Sequence, residues 1–416
     1  MNPNHTRRQL QRWLLALCIP ALTACGGGGS DDPDVIIPTA EYAVATVSDF
    51  ITGGHVIGSA TEPREFSDTL DPGDGDIAIA TNGAHFYRIG RVGIDSISKY
   101  SALEPQSPIW TFSTLGDDAS SNPYDIIFAS ETKAYVLRYN TGKVWIVDPS
   151  VSSEAEFKIG ELDLSHYDSD GTPQMHAAVI VGDKLFIAMQ RLEQGAFAES
   201  EAVKQAYLAV FDTNTDTEIE TNADLTDSLK GIPLTVRNTY NMVYDPDSGS
   251  IYLAAAGSFP CGFCDPATPA EYTGGIVRVD PESYAVAMIV DDDADTENPY
   301  GNLTNLAVVS ASQGYFIGSA SFGSNTLYRF NPSTGEVAAD PVAGLADLDI
   351  SCMGVDSEAY LWICKGDFNT PGMIVLDAIS EEISEEVATM LNPTDIAFGE
   401  VAITEEVEEE ITEALE

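Results

Sequence analysis

Few residues in this 416-residue chain have the types and spacing for chemistry. Outside the N-terminal segment the histidines are His55, His85, His166 and His176, and none stands in a Ser- or Cys-nucleophile motif. His176 opens an expected inner strand, which makes it the one candidate for a metal ligand or a general base. Cys261-Gly262-Phe263-Cys264 has the spacing of a redox pair, half a metal site or a small loop disulfide. A reactive thiol needs a helix N-terminus or a similar field to lower its pKa, and nothing nearby predicts one. The absence of a His after Cys264 removes c-type haem attachment. A four-cysteine zinc site with Cys352 and Cys364 needs all four on neighbouring loops, yet those two fall inside strands. Structural disulfides are therefore expected. The local pairing joins Cys261 to Cys264 and Cys352 to Cys364, and the competing one links the Cys261–Cys264 loop to Cys364.

Oxygen ligands are more plentiful but less ordered. Asp168-Ser169-Asp170-Gly171 alternates carboxylates as a calcium loop does, without the distal Glu of an EF-hand. Asp245–Gly249 and Asp291–Asp295 are similar fragments, and turn-forming acids account for all three more simply. Loosely held calcium is the only cofactor these residues suggest. A second polar group consists of Asn122, Tyr124, His176, Asn238, Tyr240, Asn241, Asn302, Asn305 and Asn392, all near the starts of expected inner strands. Such groups orient a ligand by hydrogen bonding, or else cap strand starts and hold channel water.

These residues have to be positioned by strands, because helical periodicity is essentially absent. Asn122–Ser150 sets the pattern with the runs YDIIFAS, KAYVLRYN and KVWIVDPS, separated by Glu131-Thr132 and Asn140-Thr141-Gly142. Short runs rich in Val, Ile, Tyr and Phe between turn residues read as an antiparallel meander. Four such strands cannot bury both faces alone, so the unit needs copies. Comparable units begin near Asp76, Met175, Tyr240, Leu303 and Ser351. Their second strands carry Tyr87, Tyr135, Phe186, Tyr252, Phe316 and Trp362 at matching places, and their third strands end in Asp148, Asp212, Asp280, Asn331 and Asp377. Asp and Asn there suit a turn in which the side chain bonds its own backbone two residues on.

The two ends of the repeat complete each other. Glu41–Leu70 reads as three strands turning first at Gly53-Gly54 and lacking an inner partner, while Asn392–Phe398 is a near copy of the inner strand Asn122–Phe128 without a unit of its own. Joined, they make a seventh blade and leave no open sheet edge. The expected fold is all-β, a seven-bladed propeller of four-stranded antiparallel blades, with the C-terminal strand joining the N-terminal ones. A spacing of roughly 45 to 65 residues per unit suits such blades. The propeller is expected over 41–399, with an acidic solvated tail over 400–416. Two connections between second and third strands, Glu193–Ala206 and Ser258–Gly274, are long enough to meet a partner.

The N-terminus carries an address. Arg7, Arg8 and Arg12 precede the apolar run Trp13–Leu22, which is too short to span a bilayer as a mature helix and has the layout of a secretory signal over 1–24. Leu22-Thr23-Ala24-Cys25 resembles the bacterial lipobox, in which Cys25 becomes the lipidated first residue. The following GGGGSDDPD makes 25–40 a flexible tether. Gly26 after the cysteine implies the outer membrane, and an exported, oxidising compartment makes the retained cysteines disulfide-bonded. Acidic residues number 66 against 19 basic ones, a net charge of −47. That field excludes nucleic acid and anionic lipid headgroups as partners and leaves the membrane to the lipid anchor alone.

The aromatic second strand followed by an apolar third strand ending in Asp resembles the bacterial YVTN-type propellers. Gly160–Leu192 is similar to a segment of their exported lipoprotein members. That resemblance implies fold and address rather than chemistry, and no residue matches the cobalamin-capturing relatives among surface propellers. The expectation is a monomeric, lipid-anchored binding module for a small molecule or an envelope protein. An exported enzyme with a metal or acid/base site at the central channel, or a structural envelope protein, are the alternatives. Replacing Cys25 with Ser is expected to move the protein from the membrane fraction to the soluble one. Persistence of that variant in the pellet through detergent-free washes would contradict the anchor.

Overall fold

In the computed structural model, residues 39–192, 204–224, 226–257, 272–292, 300–321 and 323–402 are described. Cys25, Cys261, Cys264, Asp293–Asp295, the acidic tail beyond 402 and nearly all of the two long connections lie outside them. The described chain forms seven antiparallel sheets in a ring. Blade 1 has inner strand Ile77–Asn82, blade 2 Pro123–Ser130, blade 3 Met175–Val181 and blade 4 Thr239–Asp245. Blades 5, 6 and 7 follow with inner strands Asn302–Ser310, Ile350–Val355 and Asn392–Ala402.

Blade 7 is built from both ends of the chain. Asn392–Ala402 pairs with Thr39–Ser48, in register from Ser48 opposite Asn392 to Thr39 opposite Ala402. The joined ends expected from the sequence are therefore real, with two shifts of boundary. The first strand starts at Thr39 and the last continues to Ala402, so the propeller covers 39–402 rather than 41–399. Val401 is buried, which explains why the strand runs into a segment the charge pattern assigned to the tail. The first turn of this blade is Asp49–Ile51, not Gly53-Gly54. Asp49 Oδ1 accepts the main-chain N–H groups of Ile51 and Thr52, and Gly53 and Gly54 lie within the next strand. Leu70–Asp74 supplies the outer strand, where Glu65–Leu70 was expected.

Two other blades depart from four plain strands. In blade 3 the third strand, Gln205–Asp212, pairs with both Thr217–Glu218 and Ile232–Arg237. In blade 5 the fourth strand is reduced to the bridges Phe330 to Val337 and Asn325 to Leu348.

Apolar residues on neighbouring sheets are buried between blades, not within them. Each of the seven buried clusters straddles one interface around the ring. Trp362, Met373 and Val375 of blade 6, for example, pack with Ala43, Val56 and Ile396 of blade 7. The six second-strand aromatics are all at most 1% exposed, so their repetition marks these interfaces. Burying such a side chain contributes about 1.5–3 kcal/mol relative to leaving it exposed. Between the third and fourth strands, the predicted turn chemistry is present each time. Asp148, Asp212, Asp280, Asn331 and Asp377 each accept, through Oδ1, the N–H two residues on.

Strand direction fixes two faces. Inner strands begin on the entry face, where the connections between second and third strands also lie. Thr39 and Ala402 pair at the opposite end of blade 7, so both ends of the described chain leave from the far face. Deleting 392–416 removes the closing inner strand and opens an apolar edge. A loss of at least about 10 °C in Tm, or aggregation, is expected, against no more than about 2 °C for deletion of 403–416. Equal melting temperatures for the two truncations would contradict closure by this strand.

Candidate functional site

At the entry face, inner strands share one irregularity. Six of the seven slip register near their first residues, at Tyr124, His176, Tyr240–Asn241, Thr304, Ser351–Cys352 and Thr394, whereas blade 1 does not. A β-bulge leaves its residue out of the ladder and re-aims the side chain. Ahead of the bulges, Asn122, Gln174 and Asn238 adopt left-handed φ values of 46°, 53° and 53°. Asn tolerates that region better than most residues, which suits Asn122 and Asn238 to their places.

The predicted residues divide into two groups. Asn241 and Asn305 are used in binding blade to blade: Asn241 Oδ1 accepts Leu306 N–H at 2.9 Å, and its Nδ2 donates to Leu306 O at 2.8 Å and Asn305 Oδ1 at 3.0 Å. Asn302 Nδ2 donates to Ala256 O at 2.6 Å across the same interface. Four of the others keep an unpaired atom. Asn122 Oδ1, Asn238 Oδ1 and Asn392 Oδ1 are buried without a hydrogen-bond partner, although Asn238 Nδ2 donates to Gly257 O at 2.8 Å. A buried polar atom left in this state costs about 1–3 kcal/mol and calls for an explanation.

His176 is the sharpest case. Its side chain is buried, with neither ring nitrogen at hydrogen-bond geometry. Main-chain groups of Gln174 and Tyr240 lie near enough to the ring to favour its charged form without completing a hydrogen bond to either nitrogen. Burial, outweighing those two contacts, lowers the imidazole pKa to about 4, so the ring is neutral near pH 7 and offers one donor and one acceptor.

Three tyrosines stand at the entry ends of the neighbouring blades 2 and 4. Tyr124 stacks on Tyr139 with centroids 4.7 Å apart, and the Arg91 guanidinium lies 5.0 Å from the Tyr124 centroid. Tyr139 Oη donates to Gln190 Oε1 at 2.6 Å, and Gln190 Nε2 donates to Thr239 O at 2.9 Å, which ties blades 2, 3 and 4 together. Tyr240 keeps 42% of its surface open, yet the ring of protein around it pushes its phenol up to about 12, with Tyr124 adding to the effect.

Asp125 and Asp395 were not singled out by the sequence, although both stand in the repeated Asn-Pro-x-Asp-Ile pattern. They follow the bulges of blades 2 and 7. Burial, partly offset by the N–H of Ile126 and reinforced by the charge of Asp395, raises Asp125 to about 7. Asp395 is raised to about 6 by burial, against hydrogen bonds from Ile79 N–H to Oδ2 and Ile396 N–H to Oδ1. Both side chains are only partly covered from solvent, as residues lining a narrow channel would be.

The calcium fragment is a turn. Asp168 Oδ1 accepts Lys204 Nζ at 2.8 Å and Asp170 Oδ1 accepts Thr172 N–H at 2.8 Å. The lysine ammonium thus pairs with one of the two Asp168 carboxylate oxygens. Among the described residues, no three His, Cys, Asp or Glu side chains converge as a metal site would require. Cys352 and Cys364 form a disulfide with Cα atoms 5.0 Å apart, at the bulge where the two strands face each other. That is the local pairing, not the link to the Cys261–Cys264 loop.

No protein-family model matches the chain, and no curated protein matches its sequence. Solved structures match its shape. A provisionally assigned 6-phosphogluconolactonase from Bacteroides fragilis is 12% identical with a TM-score of 0.55, covering 88% of this chain and 99% of its own. Apo AztD from Citrobacter koseri is 14% identical with a TM-score of 0.50, covering 87% and 99%. Hydrazine synthase from Kuenenia stuttgartiensis is 13% identical with a TM-score of 0.53, covering 77% and 87%. At these identities the likeness is one of fold.

The channel carboxylates predict a pH dependence. A carboxyl raised in the folded state contributes stability below its unfolded pKa, near 4, and loses it as pH rises through the folded value. Asp125→Asn keeps an acceptor for Ile126 and removes the charge. It is expected to raise stability by about 1–2 kcal/mol at pH 8, a figure already discounted for channel water, and to change little at pH 4. Equal effects in thermal melts at both pH values would contradict the raised pKa. On these comparisons and this geometry, the chain is a seven-bladed β-propeller.

Proposed function

We propose that this chain is an exported, lipid-anchored β-propeller of the outer membrane or cell surface that binds a small polar ligand at the entry-face recess, without catalysis. One observation carries the reading: His176 is buried with both ring nitrogens unpartnered, beside an exposed Tyr240 and the Tyr124–Tyr139 stack. Neutral imidazole and phenol groups supply directional hydrogen bonds, the rings supply stacking area, and the Asn side chains at the strand starts add acceptors. The carboxylates of Asp125 and Asp395 and the net charge favour a neutral or cationic ligand over an anion.

The lipobox-like Leu22–Cys25 segment supports the address, and the departure of Thr39 from the far face leaves the recess pointing away from the anchor. A second reading, a channel-centred enzyme, draws on Asp125, whose pKa of about 7 suits a general base. Native mass spectrometry of the purified protein tests the first. A small-molecule adduct is expected on the wild type and is expected to be lost in His176→Ala and Tyr240→Ala variants that keep their melting temperature. An adduct retained equally in both variants would place the ligand elsewhere.

A further inference from the structure

The entry face carries a second feature that the recess does not use. On blade 7 the turn Asp49-Phe50-Ile51-Thr52 leaves Phe50 72% and Ile51 80% exposed. On blade 6 the connection between second and third strands leaves Phe368 66% exposed, and its ring centroid lies 6.1 Å from that of Phe50. Met390, also 66% exposed, sits in the connection from blade 6 to blade 7. That connection is tied to the Phe368 loop by Thr389 N–H donating to Pro371 O at 3.1 Å. Four large apolar side chains from three connections thus gather over one blade junction.

Their presentation is built, not incidental. Phe50 has a φ of 72°, a region costly for a bulky side chain. The turn is held there by four bonds from two side chains: Ser48 Oγ accepts Phe50 N–H at 2.9 Å, and Asp49 Oδ1 accepts Ile51 N–H at 3.0 Å, Thr52 N–H at 2.6 Å and the Thr52 hydroxyl at 3.2 Å. A glycine would relieve the backbone at this position and hide nothing of the fold's core. The chain instead spends strain to fix an aromatic ring in water, as a preorganised contact residue requires.

We infer that Phe50, Ile51, Phe368 and Met390 form a docking surface for a protein segment with an apolar centre and a basic rim. The charge around the patch selects this partner. Asp49, Asp74 and Asp349 are exposed around it and Asp367 is half-buried beside Phe368, while the nearby Lys365 is already paired with Glu386 at 2.8 Å. A second copy of this chain would bring the same acids against these, so self-association is disfavoured by like charge. Lipid is disfavoured because anionic headgroups meet the same repulsion. Under the anchored reading above, the tether also leaves from the opposite face, which turns the patch away from its own membrane. The inference rests on the patch itself and stands even if the recess ligand or the anchor does not.

Fluorescence anisotropy on the purified full chain tests it, at about 0.15 M salt so that exposed charges alone are largely screened. The probe is a labelled twelve-residue peptide alternating Arg with Trp and Leu, and the control has equal charge with Ser at the apolar positions. The wild type is expected to bind the apolar peptide at least tenfold more tightly than the control. The Phe50→Ser/Phe368→Ser double variant is expected to lose that preference while keeping its melting temperature. Phe50→Gly is expected to melt higher than the wild type and to bind the apolar peptide more weakly, which separates docking from folding. Equal affinity for the two peptides, or an unchanged preference in the double variant, overturns the proposal. So does dimerisation by light scattering that the double variant abolishes, which would name a second copy. Sedimentation with phosphatidylcholine vesicles that the variant abolishes would likewise overturn it in favour of lipid.

Discussion

The pairing of Asn392–Ala402 with Thr39–Ser48 is the constraint on which the other blades depend. Each sheet buries its faces only against its neighbours, so an unclosed series of six blades would expose two apolar faces. Closure covers both at once: the blade it completes packs against Trp362 and Met373 on one side and against Phe86 and Tyr100 on the other. It also joins residues more than 340 positions apart, so the chain has to be complete before the ring can shut. Loop-closure entropy grows only slowly with length, so this late contact is tolerable once the two interfaces on either side reward it.

Much of the architecture was legible because the same physical device recurs at the same place. A buried aromatic on each second strand and an Asp or Asn at the end of the third are local signals, each read from a few residues. The Asx turns appear as expected, at Asp148, Asp212, Asp280, Asn331 and Asp377. The disulfide was legible for a related reason, since Cys352 and Cys364 stand at equal distances from one tight turn. Boundaries were read less well where charge and burial disagree. Glu400 and Val401 continue a strand because its other side has Thr39–Glu41 to pair with, a partner far away in sequence.

The site was only partly legible. The entry-face residues were chosen from their position at strand starts, and position alone does not divide them. Asn241 and Asn238 look alike in sequence, three residues apart. Yet Asn241 is consumed by Leu306 and Asn305 of the next blade, while Asn238 keeps an unpaired oxygen. The difference is set by bulges, whose extra residue decides which side chain faces the neighbour and which faces the channel. Bulges leave no mark in composition, and Asp125 and Asp395 were passed over for the same reason. Gly53-Gly54 was misplaced as a turn because the true one is held by Asp49 and Ser48, with Phe50 in a conformation that its sequence argues against.

The acidic composition then acquires two opposed roles. At turns and loop tips, carboxylates accept main-chain N–H groups, and those bonds hold Asp49, Asp212, Asp280, Asp367 and Asp377 below the usual carboxylate range. A lowered pKa contributes stability above the unfolded value, near 4, which is lost as pH falls through the folded one. In the channel, burial raises Asp125 and Asp395 to about 7 and about 6, and their contribution is lost as pH rises through those values. The two sets therefore pull in opposite directions, and both contribute in full only near pH 4, where the unfolded carboxyls titrate. At neutral pH Asp395 is largely ionised, so the channel keeps part of the desolvation cost that the turns avoid. The charge of Arg91 and the N–H groups of Ile79 and Ile396 offset part of that cost, which is why Asp395 stays below Asp125.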